Sequence, residues 1–263
     1  MCYTKVKCIN EVNNMNKIYW DKDKITLLTD KIEAIEHKHW AIQIFLSLDD
    51  ELNIRISNAD ISGRGVIVNQ NIVHSFSSEQ LTHISIIIDP TSNLSDKLKK
   101  LINRNEYYIF DNEAIKQAQQ FAKLMLKDND ITTYNNFVFH LNSLMDINEE
   151  EKLYDERIQE IIQYIKECNC NEHSISSFSE KVSLSNSRLS HLFKEQVGVP
   201  LKCYIQYHQM QKAFLALLSG KNITEAAIDA NFDSPSHFAA VTKRIMGMPA
   251  SISLKDSVFL KVY

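Results

Sequence analysis

Two stretches near the carboxyl end of the chain repeat one pattern. SLSNSRLSHLFKEQVGVP begins at Ser183, and NFDSPSHFAAVTKRIMGMP begins at Asn231. A shift of 49 positions superimposes two serines, a lysine, a glycine and a proline: Ser234 on Ser185, Ser236 on Ser187, Lys243 on Lys194, Gly247 on Gly198 and Pro249 on Pro200. A serine before an apolar stripe and a glycine after it are typical of the start and end of a helix. The pattern predicts one helical unit that occurs twice.

The length of the chain and a change of period along it predict two domains. A chain of 263 residues can bury two cores, and 44% hydrophobic with 24% charged residues is ordinary for a soluble globular protein. Short apolar runs between residues 24 and 90 predict strands: KITLLT, WAIQIFLSL, LNIRIS, GVIV and HISIII. Apolar residues three and four apart predict helices from about residue 92. We predict a first domain over 1–147, a linker over 148–155 and an all-α second domain over 156–255.

The charge is distributed unevenly between the two predicted domains. Residues 1–150 hold 16 basic and 21 acidic residues, a net of −5, whereas residues 174–263 hold 10 basic and 6 acidic, a net of +4. The basic excess permits binding to nucleic acid without establishing it. The amino terminus lacks the apolar core of a secretory signal, which predicts a cytoplasmic protein. The five cysteines are an odd number with no CxxC pair, so we expect free thiols.

Each repeated unit reads as a short helix, a tight turn and a second helix with polar residues on its outer face. The predicted helix-turn-helix motifs cover about 174–197 and 223–246, and one long helix joins them. The outward side chains can donate to base edges and phosphates in a major groove: Asn186, Ser187, Arg188, Ser190, His191, Lys194, Ser236, His237, Lys243 and Arg244. Two recognition helices about one DNA turn (~34 Å) apart could read successive grooves. Two solvated helical hairpins are the alternative, which the duplication weakens.

Residues from about Arg157 to Ser253 resemble the DNA-binding domain of AraC/XylS-type bacterial transcription regulators. The resemblance is most specific in LSNSRLSHLFKEQVGVP and is clear again in NITEAAIDANFDSPSHF and KRIMGM. It implies a domain of seven helices that binds double-stranded promoter DNA and acts on RNA polymerase, more often as an activator. No catalytic residue is expected, so the chain is predicted not to be an enzyme.

The second unit departs from the family pattern at three places. Asn231 stands where the family commonly has glycine, and Ala240 and Thr242 stand where it has arginine and phenylalanine. Since alanine cannot donate to a base, the resemblance implies that the first helix reads sequence, through Ser187, Arg188, Ser190 and His191. The second helix is then expected to hold mainly the DNA backbone.

The first domain resembles the cupin β-barrel found at the front of many AraC-type regulators. The expected fold is therefore α+β: a cupin-like barrel with flanking helices, followed by the double helix-turn-helix domain. Metal-binding cupins carry HxH, a nearby glutamate and a distant histidine. Here His37, His39, Gln43 and His74 fall at comparable places, with Gln43 in the position of the carboxylate. Because the carboxylate is missing, we expect no metal and no cofactor, with His37, His39 and His74 as the metal alternative.

Two further expectations concern partners. The candidates to line a pocket for a small-molecule effector are His37, His39, Trp40, Gln43 and His74. The segment from about Asp111 to Lys127 is predicted to form a homodimer interface. Two other functions remain open: a metal-dependent cupin enzyme, and a helix-turn-helix half that binds protein in place of DNA.

Overall fold

The structure, a computed structural model, describes residues 16–145, 153–167, 174–247 and 257–262. It contains two compact units: Met1–Glu150 with Met246–Tyr263, and Glu151–Ile245. Most of the predicted linker, and every cysteine except Cys203, lies outside the described residues. Within the described ranges, none of the helices is both long and apolar enough to cross a membrane.

The first unit combines strands and three helices. Its strands are β1 Asn16–Trp20, β2 Lys24–Thr29, β3 Glu33–His37, β4 Gln43–Ser47, β5 Leu52–Ile56, β6 Ala59–Gly63, β7 Gly65–Val68, β8 His74–Ser77, β9 His83–Ile88, β10 Tyr107–Ile109 and β11 Ser257–Lys261. Its helices are α1 Asn93–Ile102, α2 Lys116–Lys127 and α3 Ile131–Leu144. The strands form one sheet in the order β10-β7-β4-β9-β2-β1-β11 and another in the order β3-β8-β5-β6.

The larger sheet is covered on both faces. On one face, Ile44, Ile84 and Ile86 belong to a single buried cluster with side chains from all three helices. On the other face, Phe45 of β4 lies 4.9 Å from Phe76 of β8, measured between ring centroids, so this face meets the smaller sheet. Residues alternate between these two cores along each strand, which explains why every residue of β2, β4 and β9 is buried.

The expected β-rich domain with flanking helices is confirmed. The five predicted strand runs correspond to β2, β4, β5, β7 and β9, and the three predicted helices correspond to α1, α2 and α3. The sequence analysis missed β1, β3, β6, β8 and β10. A run of three to five residues that mixes polar and apolar side chains carries little periodic signal. β11 was also missed. It pairs in parallel with β1, and it lies beyond the predicted end of the second domain at residue 255.

The second unit is helical throughout its described part. Its helices are α4 Glu156–Glu167, α5 Ile175–Lys181, α6 Asn186–Val197, α7 Leu201–Leu218, α8 Ile223–Asp229 and α9 Pro235–Met246, with the last residue of α9 grouped with the first unit. The seventh helix implied by the resemblance is not among them in the part of 156–255 that is described. Gly198 and Gly247 follow α6 and α9 with φ of 85° and 72°, the left-handed backbone that glycine favours at a helix end.

Candidate nucleic-acid interface and histidine cluster

The turn before α6 is held by side chains of its own motif. Ser185 caps the helix by accepting a hydrogen bond from the backbone N–H of Arg188 at 3.2 Å. The amide of Asn186 accepts from the Ser179 hydroxyl at 2.5 Å and donates to the Ser176 hydroxyl at 3.1 Å, so it connects α6 to α5. These bonds fix the angle between the two helices and occupy the Asn186 side chain.

The outer face of α6 carries exposed polar side chains, of which Arg188 interacts electrostatically with the Asp155 carboxylate. Ser187, Arg188, His191 and Lys194 are exposed, and their side chains make no hydrogen bond or ion pair with any other described residue. Ser190 is half-buried, and its hydroxyl donates to the Asn186 carbonyl at 2.7 Å. The opposite face is buried through Leu189, Leu192, Phe193 and Val197, as the apolar stripe predicts.

The turn between α8 and α9 is one residue longer than the turn between α5 and α6. Four residues, 182–185, separate α5 from α6, whereas five, 230–234, separate α8 from α9. In both turns one residue has a left-handed backbone, Ser183 at φ 53° and Asn231 at φ 62°. Asparagine tolerates this conformation better than most non-glycine residues, which explains how Asn231 fits where the family has glycine. The additional residue in the longer turn is Asp233.

The outer face of α9 differs from that of α6 because two of its polar side chains have intramolecular partners. His237 Nδ1 lies 3.0 Å from a carboxylate oxygen of Asp233. Arg244 donates to the side-chain oxygen of Gln206 on α7 at 2.5 Å, and the amide nitrogen of Gln206 lies 3.4 Å from His237 Nε2. Ser236 and Lys243 are exposed without such partners among the described residues, and Ala240 is exposed between them.

Helix α7 packs against both motifs. Tyr204, near its start, lies 5.5 Å from Phe193 of α6, and Phe214, near its end, lies 5.8 Å from Phe238 of α9, measured between ring centroids. All four rings are buried. An α-helix of 18 residues is about 27 Å long, so α7 holds the two motifs apart by a fixed length.

A second group of functional side chains lies at one end of the barrel in the first unit. His37 ends β3, His74 begins β8 opposite it, and His39 precedes β4. The nearest ring nitrogens of the three histidines all lie within 4.8 Å of one another. Gln43, on the inner face of β4, lies 2.9 Å from His39 Nε2 and 3.1 Å from His74 Nε2, and its other amide atom lies 2.8 Å from the Ser85 hydroxyl.

Burial keeps these imidazoles neutral at pH 7. Burial, with a smaller contribution from the neighbouring histidines, lowers the pKa of His39 to about 4 and that of His74 to about 3. The pKa of His37 is also lowered by burial. Each neutral ring carries one N–H and one lone pair, so hydrogen bonding decides which nitrogen carries the proton.

The Nδ1 atoms of the three histidines all face backbone carbonyls. His37 Nδ1 lies 2.8 Å from the Ile35 oxygen, His39 Nδ1 lies 2.9 Å from the Ala41 oxygen, and His74 Nδ1 lies 2.9 Å from the Ile72 oxygen. A carbonyl oxygen only accepts, so each Nδ1 is the donor and each Nε2 bears a lone pair. In the structure the Gln43 oxygen faces His39 and His74, and its nitrogen donates to the Ser85 hydroxyl. With both Nε2 atoms unprotonated, exchanging the two atoms of the Gln43 amide would let its nitrogen donate to them.

A small pocket lies beside the cluster and is mostly apolar. His37, Gln43 and Ser85 line it together with apolar side chains: Ile25, Leu27, Ile32, Ala34, Phe45 and Ile87 of the barrel, and Met246 at the end of α9. Of the other residues that we expected to line an effector pocket, His39, Trp40 and His74 are buried but do not line this pocket.

The helix-turn-helix half matches known proteins. The helix-turn-helix domain family matches residues 178–255. The arabinose operon regulatory protein of Salmonella typhimurium is 34% identical over 100 residues, which are 37% of this chain and 35% of that protein. The chain thus spans about a third of that relative's length. The carboxyl-terminal domain is thus similar to the DNA-binding domain of AraC-type transcription regulators.

Two further comparisons extend beyond the AraC/XylS-type domain. The probable transcriptional regulator LumQ of Photobacterium leiognathi is 24% identical over 223 residues, which are 81% of this chain and 88% of LumQ. A crystal structure of ToxT from Vibrio cholerae covers 87% of this chain and 96% of its own, with a TM-score of 0.55 and 11% identity. This likeness shows that the barrel, the helices and the AraC/XylS-type domain share the fold of ToxT.

The structure sorts the predicted DNA-binding residues into two sets. Ser187, Arg188, His191 and Lys194 of α6, with Ser236 and Lys243 of α9, are exposed on the recognition helices. The others have internal hydrogen bonds or ion pairs: Asn186, Ser190, His237 and Arg244. Sequence reasoning missed Gln206, since a glutamine on the linking helix gives no sign that it will meet α9. The duplication showed which helices correspond but not which side chains would pair.

Proposed function

We propose that the chain is a sequence-specific DNA-binding transcription regulator that places α6 and α9 in two successive major grooves. The observation that carries the proposal is the pair of capped helices with exposed polar faces, joined by α7. An α7 of about 27 Å is compatible with grooves that recur about every 34 Å. The AraC/XylS-type domain and the relatives described above support the same function.

The proposed base contacts lie on α6. The Arg188 guanidinium can form two parallel hydrogen bonds to a guanine, and His191, one turn later, reaches the same groove. Lys194, a further turn along, is placed for a phosphate. Because Asn186 is occupied in the turn, we propose that it positions α6 and does not read a base.

The proposed role of α9 is to hold the duplex. Its Ala240 offers no donor, and His237 and Arg244 have partners within the protein. Ser236 and Lys243 are available for phosphates. In this proposal α6 supplies most of the sequence preference, and α9 contacts mainly the DNA backbone.

The proposed partners follow from this function. The regulator acts in the cytoplasm on promoter DNA and RNA polymerase, as an activator, under the control of a small molecule that binds the first unit. It forms a homodimer through the segment from about Asp111 to Lys127, which contains α2 and where the large apolar side chain of Leu124 remains exposed. Sedimentation at micromolar concentration checks this, because a monomer would contradict the dimer.

No enzymatic step is part of the proposal. The alternative, that the helix-turn-helix half binds protein, is favoured by Ala240 and by the modest basic excess. The two functions differ in salt dependence, since contacts to phosphates release counterions and protein interfaces do not.

The deciding experiment is selection of bound fragments from genomic DNA with the purified full-length protein, followed by sequencing. The expected result is a motif of two segments about one helical turn apart, with a steep loss of affinity as salt rises. Equal affinity for all duplexes, or a flat response to salt, would overturn sequence-specific regulation and support the protein-binding alternative.

A further inference from the structure

A glutamine on the linking helix α7 contacts two polar side chains of α9. The side-chain oxygen of Gln206 accepts a hydrogen bond from Arg244 Nη2 at 2.5 Å, and its amide nitrogen lies 3.4 Å from His237 Nε2. Gln206 is buried, whereas Arg244 is exposed. A buried amide on α7 therefore holds one end of an exposed guanidinium on α9.

The chemistry of its neighbours fixes the orientation of the Gln206 amide. A guanidinium only donates, so the atom that faces Arg244 is the oxygen, and the amide nitrogen faces His237. His237 Nδ1 lies 3.0 Å from a carboxylate oxygen of Asp233, which only accepts. In the neutral ring Nδ1 therefore carries the proton, and Nε2 presents its lone pair to Gln206. Exchanging the two atoms of the amide would bring two donors together, so Gln206 cannot release Arg244 in that way.

Arg244 is well placed for a second contact from α9 to the DNA backbone. It stands four residues after Ala240, on the same face of the helix, and next to the exposed Lys243. Among the described residues no carboxylate forms an ion pair with Arg244, and Gln206, its hydrogen-bond acceptor, is neutral. A hydrogen bond between two charged groups is stronger than one to a neutral acceptor. A phosphate can therefore compete with Gln206 for the guanidinium.

We propose that Gln206 is a positioning residue that restrains Arg244, so that a phosphate must displace the Gln206 amide before α9 gains a second cationic contact. This proposal rests on the DNA-binding function proposed above. The restraint lowers the affinity of the second motif for DNA of any sequence and leaves the preference from α6 unchanged. Because a genome offers many non-specific sites, a weaker sequence-independent contact keeps more of the protein available for the sites that α6 prefers.

The test measures binding of the full-length protein to the selected duplex and to a scrambled one over a range of salt concentrations. Gln206→Leu should tighten binding to both duplexes about tenfold, the order of a hydrogen bond to a charged group. It should also steepen the slope of log affinity against log salt by about 1, since one more phosphate is contacted. In the Arg244→Gln background, Gln206→Leu should change neither quantity.

Gln209→Leu is the matched control on the same helix. Gln209 is a buried glutamine one turn after Gln206, and its amide donates to the Asn231 carbonyl at 3.0 Å. The substitution removes a hydrogen bond between α7 and the second motif without releasing a cation. It should therefore lower stability and leave the salt slope unchanged. If Gln209→Leu tightened binding as much as Gln206→Leu, looser packing and not the release of Arg244 would be the cause, and the proposal would be wrong.

Arg244→Gln alone tests the restraint at an exposed position that does not affect the core. Because Arg244 is held by Gln206, its loss should reduce the salt slope by less than half as much as Lys243→Ala does. Equal reductions would show that Arg244 is not restrained. Urea denaturation without DNA gives a second readout, in which the costs of Gln206→Leu and Arg244→Gln should not be additive because the two side chains interact. Additive costs would also overturn the proposal.

The remaining outcomes separate this proposal from the proposed function. Unchanged or weaker binding in Gln206→Leu would overturn the restraint, and weaker binding would show that Gln206 directs Arg244 toward the duplex. Neither result would affect the sequence preference of the unchanged protein. Equal affinity of the unchanged protein for both duplexes, or a flat response to salt, would overturn the DNA-binding function itself, whatever the effect of Gln206→Leu.

Discussion

The two helix-turn-helix motifs have the same scaffold and different outer faces. In both, a serine caps the second helix, a residue with left-handed backbone ends the first helix, and a buried phenylalanine contacts α7. The faces differ because the second turn has one more residue, Asp233, which pairs with His237, and because Gln206 holds Arg244. Exposed polar residues on corresponding helices are therefore not equivalent, since partners inside the protein compete with DNA for them.

The largest expected effect tests whether the two helix-turn-helix motifs are packed equally well. Phe193→Ala and Phe238→Ala each remove a ring that is fully buried. Each substitution should lower the free energy of unfolding by about 3–5 kcal/mol, because a cavity remains where the ring was. Urea denaturation followed by circular dichroism measures both. A cost below about 1 kcal/mol in only one of them would show that the motifs are not packed alike, given that such losses are otherwise large.

The next effect tests whether α6 reads sequence and α9 does not. Arg188→Ala should reduce the preference for the selected duplex over a scrambled one by about 1–3 kcal/mol, the value of a good base contact. His237→Ala, the matched change on α9, should leave the preference nearly unchanged because that side chain is half-buried between Asp233 and Gln206. Competition binding at fixed salt measures both. Equal losses of preference would contradict the proposed division.

A smaller effect tests the role of Gln206. Gln206→Leu removes the side chain that accepts from Arg244 and lies beside His237. The leucine occupies a similar volume on α7 but makes no hydrogen bond. The free energy of unfolding should fall by about 0.5–1.5 kcal/mol, the net value of a hydrogen bond, and the preference due to α6 should persist. If Gln206→Leu abolished the preference, the second motif would be contributing to sequence reading.

The smallest expected effect concerns the contribution to DNA affinity of two lysines at matching positions, Lys194 and Lys243. Lys194→Ala and Lys243→Ala should weaken binding to all duplexes alike, and each should reduce the slope of log affinity against log salt by about 1. Both lysines are exposed and have no ion pair with any other described residue. A change of sequence preference in either variant would mean that the lysine contacts a base.

Sequence patterns were most informative where a short range of residues decides the structure. The serine caps, the apolar stripe of α6 and the bounds of α4, α6 and α9 follow from spacing within one or two helical turns, and the structure has them at the predicted residues. Three strands of the smaller sheet were not predictable in this way. β3, β6 and β8 are half-polar, and they become strands because the sheet beside them supplies hydrogen-bond partners.

In the candidate sites, too, sequence patterns do not predict features that depend on residues far apart in the chain. HxH and a distant histidine predicted that His37, His39 and His74 could meet, but the direction of their lone pairs depends on three carbonyls that no pattern in the sequence marks. His37, His39, Trp40, Gln43 and His74 were candidates to line an effector pocket, but only His37 and Gln43 line the pocket beside the cluster. The direction of a side chain in the barrel depends on its place in the folded sheets, which no local pattern marks.

The sequence by itself determined that this chain has a β-rich first domain, a duplicated helix-turn-helix motif and residues able to contact DNA, because periodicity, caps and charge are local properties. Only the tertiary structure decided which of those residues remain available. Gln206 reaches Arg244 across 38 positions, and Gln43 reaches His74 across 31. Contacts between residues so far apart form only when the chain has folded, because packing of whole elements, and not neighbouring sequence, brings them within hydrogen-bond distance.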